Sequence, residues 1–170
     1  YAQAVEAAAA IELPLRARYL RTLFLELERL YNHIGDVGNV CAGFGLAVGV
    51  SQGLRLREEL LQMNERICGH RYLRGIVALG GMRRDLAPAE LSDISTTLKR
   101  VTAEFGEIVD IILSHDIALN RMQDTGILTL QQANDLEVVG VAARASGRDI
   151  DVRRDHPYAA YDRVDFTVPV

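Results

Sequence analysis

A chain of 170 residues, 49% of them hydrophobic, is long enough to remove roughly 70% of its unfolded surface from water without a disulfide or metal staple. Its 19 basic and 23 acidic residues leave a formal charge of −4. Because they are interspersed, they exclude both the basic stripe that nucleic acid demands and the polybasic patch that draws a protein to an anionic membrane surface.

The opening YAQAVEAAAA is alanine-rich and predicts a helix, read as the tail of one begun upstream. From Leu20, the residues Leu23, Leu27, Leu30, Ile34, Val37, Cys41 and Phe44 follow at spacings of three and four, which predicts one seam of a long helix. Pro14 suits its first turn, where no amide partner is needed. Gly43, Gly45 and Gly49 loosen its far end. The GFGLAVG stretch there is not a dinucleotide loop: its spacing is not G-x-G-x-x-G and no strand precedes it. Close packing of the helix end against another backbone suits these glycines better. The longest uncharged run, Val37 to Leu54, holds five glycines with Asn39, Ser51 and Gln52, too short and too polar for a membrane span. The cysteines, Cys41 and Cys68, read as buried free thiols of a reducing compartment.

Leu56, Leu60, Met63 and Ile67 share a face and predict a further helix, after which Ala78 to Met82 must turn. Leu91, Ile94, Leu98, Val101, Phe105, Ile108 and Ile112 predict another long helix, with Pro88 near its start and Ser114, His115 and Asp116 near its end. Thr129 and Gln132 fit a capping box opening a short helix, and Val138 to Val141 reads as a strand or extended loop. The fold expected is mainly α: a bundle of long helices with an irregular or short-strand C-terminal segment, residues 1–170 forming a single helical domain. With no initial Met and an abrupt stop at FTVPV, the chain reads as excised from the middle of a longer protein.

Candidate chemistry is sparse. His33, His70, His115 and His156 lack metal-ligand spacing and no C-x-x-C accompanies them, so no metal is assigned to this chain. His33 is either a hydrogen-bonded histidine at the core edge or a proton carrier. Arg83, Arg84 and Asp85 follow a double glycine. They are either a solvated helix entrance with a local ion pair or a fork of guanidiniums gripping a carboxylate or neighbouring chain. Between Arg144 and Asp165 lie five arginines and five aspartates. Exposed ion pairs contribute only about 0–1 kcal/mol each, so this density points to a sheltered network; a solvated loop with incidental pairs is the alternative.

Four stretches, LFLELERLYNHIGDVG, ERICGHRYLRGIVALGGMRRDL, VAARASGRDIDVRRDHPYAAY and YDRVDFTVPV, together resemble the large subunit of group 4 (formate hydrogenlyase-type) nickel–iron hydrogenases and its relative, the 49-kDa subunit of respiratory complex I. PYAAYDRVDFTVPV looks like the complex I branch, whereas NVCAGFG and RRDHPYAAY look more like the hydrogenase branch. Where quinone-binding relatives carry a histidine-alanine-leucine-aspartate run, this chain has Val40, Cys41, Ala42 and Gly43. Hydrogenases of this kind hold nickel and iron between two C-x-x-C pairs, and this chain has neither pair.

The resemblance implies a fragment of a catalytic oxidoreductase subunit, of hydrogenase or NADH:quinone dehydrogenase type and inactive by itself. It couples electron transfer from an iron–sulfur small subunit to reduction of protons or quinone, on the cytoplasmic side of a membrane and peripheral to it. The nickel–iron centre or quinone belongs to the parent protein and the iron–sulfur cluster to a partner subunit. A NADH site, where one exists, falls on another chain. By the same resemblance, Glu6 is an acid near the active centre, suited to proton relay if desolvation raises its pKa. Protons then pass through Glu6, His33, Arg144 and Asp151. Arg153 and His156, with Arg83, Arg84 and Asp85, line the cavity or a partner. A non-catalytic helical assembly module derived from the family is the other reading.

Overall fold

The computed structural model describes residues 1–168 and is mainly α, with strand confined to one minimal hairpin among them. The sequence suggests one helical domain over 1–170; the structure divides the chain into two compact units, Tyr1–Gln123 and Asp124–Val170.

In the first unit, α1 (Ala2–Ala8) is followed by α2 (Leu15–Gly43), α3 (Ala47–Cys68), the hairpin β1 (Val77–Ala78) and β2 (Gly81–Met82), α4 (Pro88–Leu113) and α5 (Asp116–Met122). Local chemistry sets the ends. Pro14 immediately precedes α2, and Pro88 opens α4, where the Ala87 amide donates to Glu90 Oε2 at 2.8 Å. Gly69, at φ +77°, ends α3 in the left-handed conformation that glycine adopts without steric cost. Antiparallel β1 and β2 pair Ala78 with Gly81, so the predicted turn is a two-residue one with Gly80 at φ +76°.

The predicted seam of α2 resolves into two lines. Leu20, Leu27, Ile34 and Cys41, seven apart, are buried, while Leu23, Leu30, Val37 and Phe44 are half-buried at their side, as a heptad line flanked by its neighbours should be. They pack with Leu56, Leu60, Met63 and Ile67 of α3 and with Ile94, Val101, Ile108 and Ile112 of α4. Helices α2 and α3 approach most closely through Gly38 and Gly53: a Cβ at Gly53 would lie 2.8 Å from Gly38 Cα. Gly49 likewise leaves room for Cys41, whose Sγ would be 2.5 Å from an added Cβ. The close packing expected of Gly43, Gly45 and Gly49 is absent: an added Cβ meets nothing within 4 Å at Gly43 and Gly45, and Gly49, which lies inside α3 rather than at the end of α2, meets side chains rather than another backbone. Ion pairs Arg55–Glu104 and Arg100–Glu59 join α3 to α4 along the surface.

The second unit contains α6 (Leu130–Asp135), α7 (Gly140–Ala145), α8 (Val152–Asp155) and a 3-10 turn at Tyr161–Arg163. The capping box is as the sequence predicts, with Gln132 N donating to Thr129 Oγ1 at 3.2 Å and Thr129 N to Gln132 Oε1 at 3.1 Å. Val138 to Val141 forms no strand, and the extended-loop alternative holds only for its first half. Val139 is extended, but Gly140, at φ +73°, turns the chain into α7, where the alanines favour helix over sheet. Ala133, Ala143, Ala159, Ala160 and Tyr161 are the buried apolar residues around which this unit closes.

Candidate functional site

Helix α1 presents Glu6, only 3% exposed, to Arg21 of α2, 4% exposed. Arg21 Nη1 and Nη2 donate to the two carboxylate oxygens at 2.8 and 2.7 Å. Nη2 also donates to the carbonyls of Ala78 and Gly81 at 2.7 and 2.9 Å, and the Gly80 amide donates to Glu6 Oε1 at 2.8 Å. One ion pair thus pins the hairpin turn to α1 and α2. The expectation for Glu6 is overturned in its sign. Hydrogen bonding from Arg21, aided by the Gly80 amide, outweighs the desolvation that would raise its pKa, and holds it at about 2. A carboxylate so held is an anchor, not a proton carrier near neutrality. Arg21 is the functional residue that sequence reasoning missed. Its signal is an arginine three residues before Phe24, which places a cation on the buried face of α2.

Beyond the hairpin, Asp85 takes both oxygens to Arg16 Nε at 2.8 Å and accepts from the Leu86 amide at 2.7 Å. Arg84 pairs with Glu90, and Arg83 projects from the end of β2 with its own amide donating to Ile76 O at 2.9 Å. These three residues are brought together, exposed, at one edge of the first unit.

In the second unit the charges are paired as predicted, but shelter is uneven. Asp151 caps α8: its Oδ1 accepts from the Arg153 amide at 3.0 Å, and the Arg153 guanidinium reaches Oδ1 at 3.0 Å and Oδ2 at 2.7 Å. Arg153 also lies 4.6 Å from the Phe166 ring centroid, a cation–π contact. Arg144 Nη1 donates to Asp149 Oδ1 and Ile150 O, each at 3.1 Å, and Nη2 to Val168 O at 2.5 Å. The side chains of Arg144, Asp151 and Arg153 are 13, 10 and 16% exposed, whereas Arg154 and Asp149, themselves paired, are 48 and 56% exposed. The sheltered network is therefore Arg144, Asp151 and Arg153, with a solvated fringe.

His33 stands exposed on α2, and His156 is exposed at the end of α8. Neither is drawn into the clusters around Glu6 or Asp151 by any hydrogen bond among those described above. His70 Nδ1 accepts from the Tyr72 amide at 3.0 Å, and His115 Nδ1 caps α5 by accepting from Ala118 N at 3.3 Å. Both are structural histidines.

Arg153 holds the Asp151 carboxyl at about 2, below its ordinary 3.8. Its charged form is thus favoured by folding, so the stability it lends is fully present above about pH 4 and disappears as pH falls through about 2. Acid titration followed by amide exchange at Arg153 and Arg154 is expected to show α8 opening across that window, and an Asp151→Ala variant, which has no side-chain acceptor for the Arg153 amide, is expected to show it open already at neutral pH. Equal protection of α8 in both proteins at pH 7 would contradict the cap.

The family model described as "Respiratory-chain NADH dehydrogenase, 49 Kd subunit" matches residues 44–170. The mitochondrial NADH-ubiquinone oxidoreductase 49 kDa subunit of Neurospora crassa is 32% identical over 170 residues, 100% of this chain and 36% of that protein. Formate hydrogenlyase subunit 5 of Escherichia coli (strain K12) is 35% identical over 161 residues, 95% of this chain and 28% of that protein. Among solved structures, a chain of the membrane-bound sulfane sulfur reductase, an archaeal respiratory membrane complex, is similar with a TM-score of 0.90 and 26% identity, covering 98% of this chain and 45% of its own. The chain spans less than half the length of each of these relatives.

Proposed function

Because the chain belongs to the respiratory-chain NADH dehydrogenase 49 kDa subunit family, whose model it matches over residues 44–170, we propose that it is part of the catalytic large subunit of a membrane-associated redox complex. In this reading the large subunit couples electron transfer from an iron–sulfur partner to the reduction of protons or quinone. The observation that carries it is similarity across nearly the whole chain, 95% or more of it, both to a NADH-ubiquinone oxidoreductase subunit and to a formate hydrogenlyase one. No helix among the described residues is long and apolar enough to cross a membrane, so attachment at the cytoplasmic face through neighbouring subunits is part of the proposal.

The chain's own donors do not fit a nickel–iron centre, which takes several soft thiolates at one place. Cys41 is buried against Gly49, where desolvation raises its pKa and so disfavours the thiolate, and the Cys68 thiol donates to His70 O at 3.0 Å. In this reading a nickel–iron centre belongs to parts of the parent protein outside this chain, the parent protein holds the quinone where one is used, and the partner holds the cluster. What these residues contribute is position. Glu6 and Arg21 fix the hairpin turn, and Arg144, Asp151 and Arg153 hold the segment of the second unit as a rigid, charge-compensated wall.

Reconstitution of the full-length protein with its iron–sulfur partner separates the branches. Hydrogen evolution from a reduced dye assigns the proton-reducing branch, and dye-driven quinol formation the quinone branch. Loss of neither activity on replacing Arg144 or Asp151, or absence of both activities in the assembled complex, would remove the proposal.

A further inference from the structure

Beside the anchored hairpin lies a pocket of about 410 Å³ whose walls come from the start of α2 and from the stretch Gly80 to Asp85. We propose that this pocket is a carboxylate-binding site, in which Arg83 grips a monoanionic carboxylate between the guanidiniums of Arg16 and Arg84 and the bare backbone of Gly81. The proposal goes beyond the redox reading and stands or falls without it.

Three observations carry it. Arg16, Arg83 and Arg84 all line the one pocket. Two of them are already answered: Arg16 by Asp85, and Arg84 by Glu90. Arg83 is answered by no carboxylate among the described residues and is exposed. Three guanidiniums thus face two carboxylates, leaving one unit of positive charge on the fork best shaped for bidentate recognition. A single excess charge suits a carboxylate, whereas a phosphate dianion would leave the site negatively charged.

The backbone of the same turn is committed elsewhere. The Gly80 amide serves Glu6, the Gly81 carbonyl serves Arg21, and the Arg83 amide serves Ile76 O. The wall is therefore held in place from behind, and the charged groups it offers the pocket are the guanidiniums of Arg16, Arg83 and Arg84.

Gly81 supplies the third observation. Gly80 needs to be glycine, at φ +76°, but Gly81 is not in the left-handed region, and a Cβ there would meet Ala17 Cβ at an ordinary 3.9 Å. The fold therefore gives no reason for glycine at 81. An approaching ligand does, because a missing side chain lets it reach the bottom of the pocket.

The test uses the isotope-labelled chain, with sodium acetate as probe, sodium phosphate at pH 7.5 as the competing arm, and sodium chloride at matched ionic strength as the blank. Acetate is expected to give saturating shifts at the Arg83 side-chain Nε–H and the Gly81 amide. Arg83→Gln should weaken this binding at least tenfold. Gly81→Ala should also weaken it with the melting temperature unchanged. Shifts that fail to saturate, equal shifts in chloride, or unaltered binding by Arg83→Gln would each overturn the site. Phosphate binding more tightly than acetate would overturn the carboxylate assignment.

Discussion

Replacing Arg21 with methionine is expected to destabilise the first unit by about 3–5 kcal/mol, the range for removing one partner of a buried, hydrogen-bonded pair. The reason lies less in the lost attraction than in what is left behind. The buried Glu6 carboxylate would keep only the Gly80 amide of the donors described, and the carbonyls of Ala78 and Gly81 would lose the donor they share. The desolvation already spent on burying these groups would then have no return. Urea unfolding followed by the helical signal measures the loss.

A double replacement distinguishes a lock from a mere contact. Glu6→Leu with Arg21→Met removes both charges together, and apolar substitution of a whole buried pair is often neutral. The double variant is therefore expected to be more stable than Arg21→Met alone, with amide exchange at Gly80 faster than in the parent because its acceptor is gone. The acid limb gives an independent check. Folding holds Glu6 at about 2 against an ordinary 4.5, so its contribution is intact above about pH 4.5 and is lost as pH falls through about 2. The double variant should lack that part of the acid sensitivity. A single variant as stable as the parent, with Gly80 equally protected, would show that the ion pair holds nothing.

The long helices were legible because burial on a helix writes its period into the sequence. Leu20, Leu27, Ile34 and Cys41 can be picked out by counting, and so can Ile94 and Val101. The cap of Asp151 on the Arg153 amide went unread: the charge count of that segment pointed to pairing but not to a short helix. The hairpin anchor was not legible. Glu6 and Arg21 are 15 residues apart, and their other partners at 78, 80 and 81 contribute only backbone atoms, which carry no residue identity. The same blindness hid the hold of Arg144 on the carbonyls of Ile150 and Val168. Reading desolvation alone at Glu6 inverted its pKa, because the sign of such a shift depends on a partner that only the tertiary structure supplies.

Two glycine-to-alanine changes are expected to move stability in opposite directions. In an exposed helix interior this change is favourable by roughly 0.5–1 kcal/mol, since alanine gives up less backbone freedom on folding. Gly106 of α4 is such a place: a Cβ there meets nothing within 4 Å, so Gly106→Ala should raise the urea midpoint. Gly53 of α3 differs because its added Cβ would lie 2.8 Å from Gly38 Cα, 3.2 Å from Gly38 N and 3.4 Å from Ile34 O. All three are backbone atoms of α2 and cannot swing aside as the end of a side chain can. The helices must part instead, loosening the packing of Ile34 and Leu56, so Gly53→Ala should lose about 1–3 kcal/mol despite the same gain in helix propensity. Gly38→Ala, whose nearest approach is 3.3 Å to Gly53 Cα, should fall between them. The order of the three midpoints is thus a direct reading of how near α2 and α3 run. A Gly53→Ala protein as stable as Gly106→Ala would mean that the two helices are farther apart than their glycines allow.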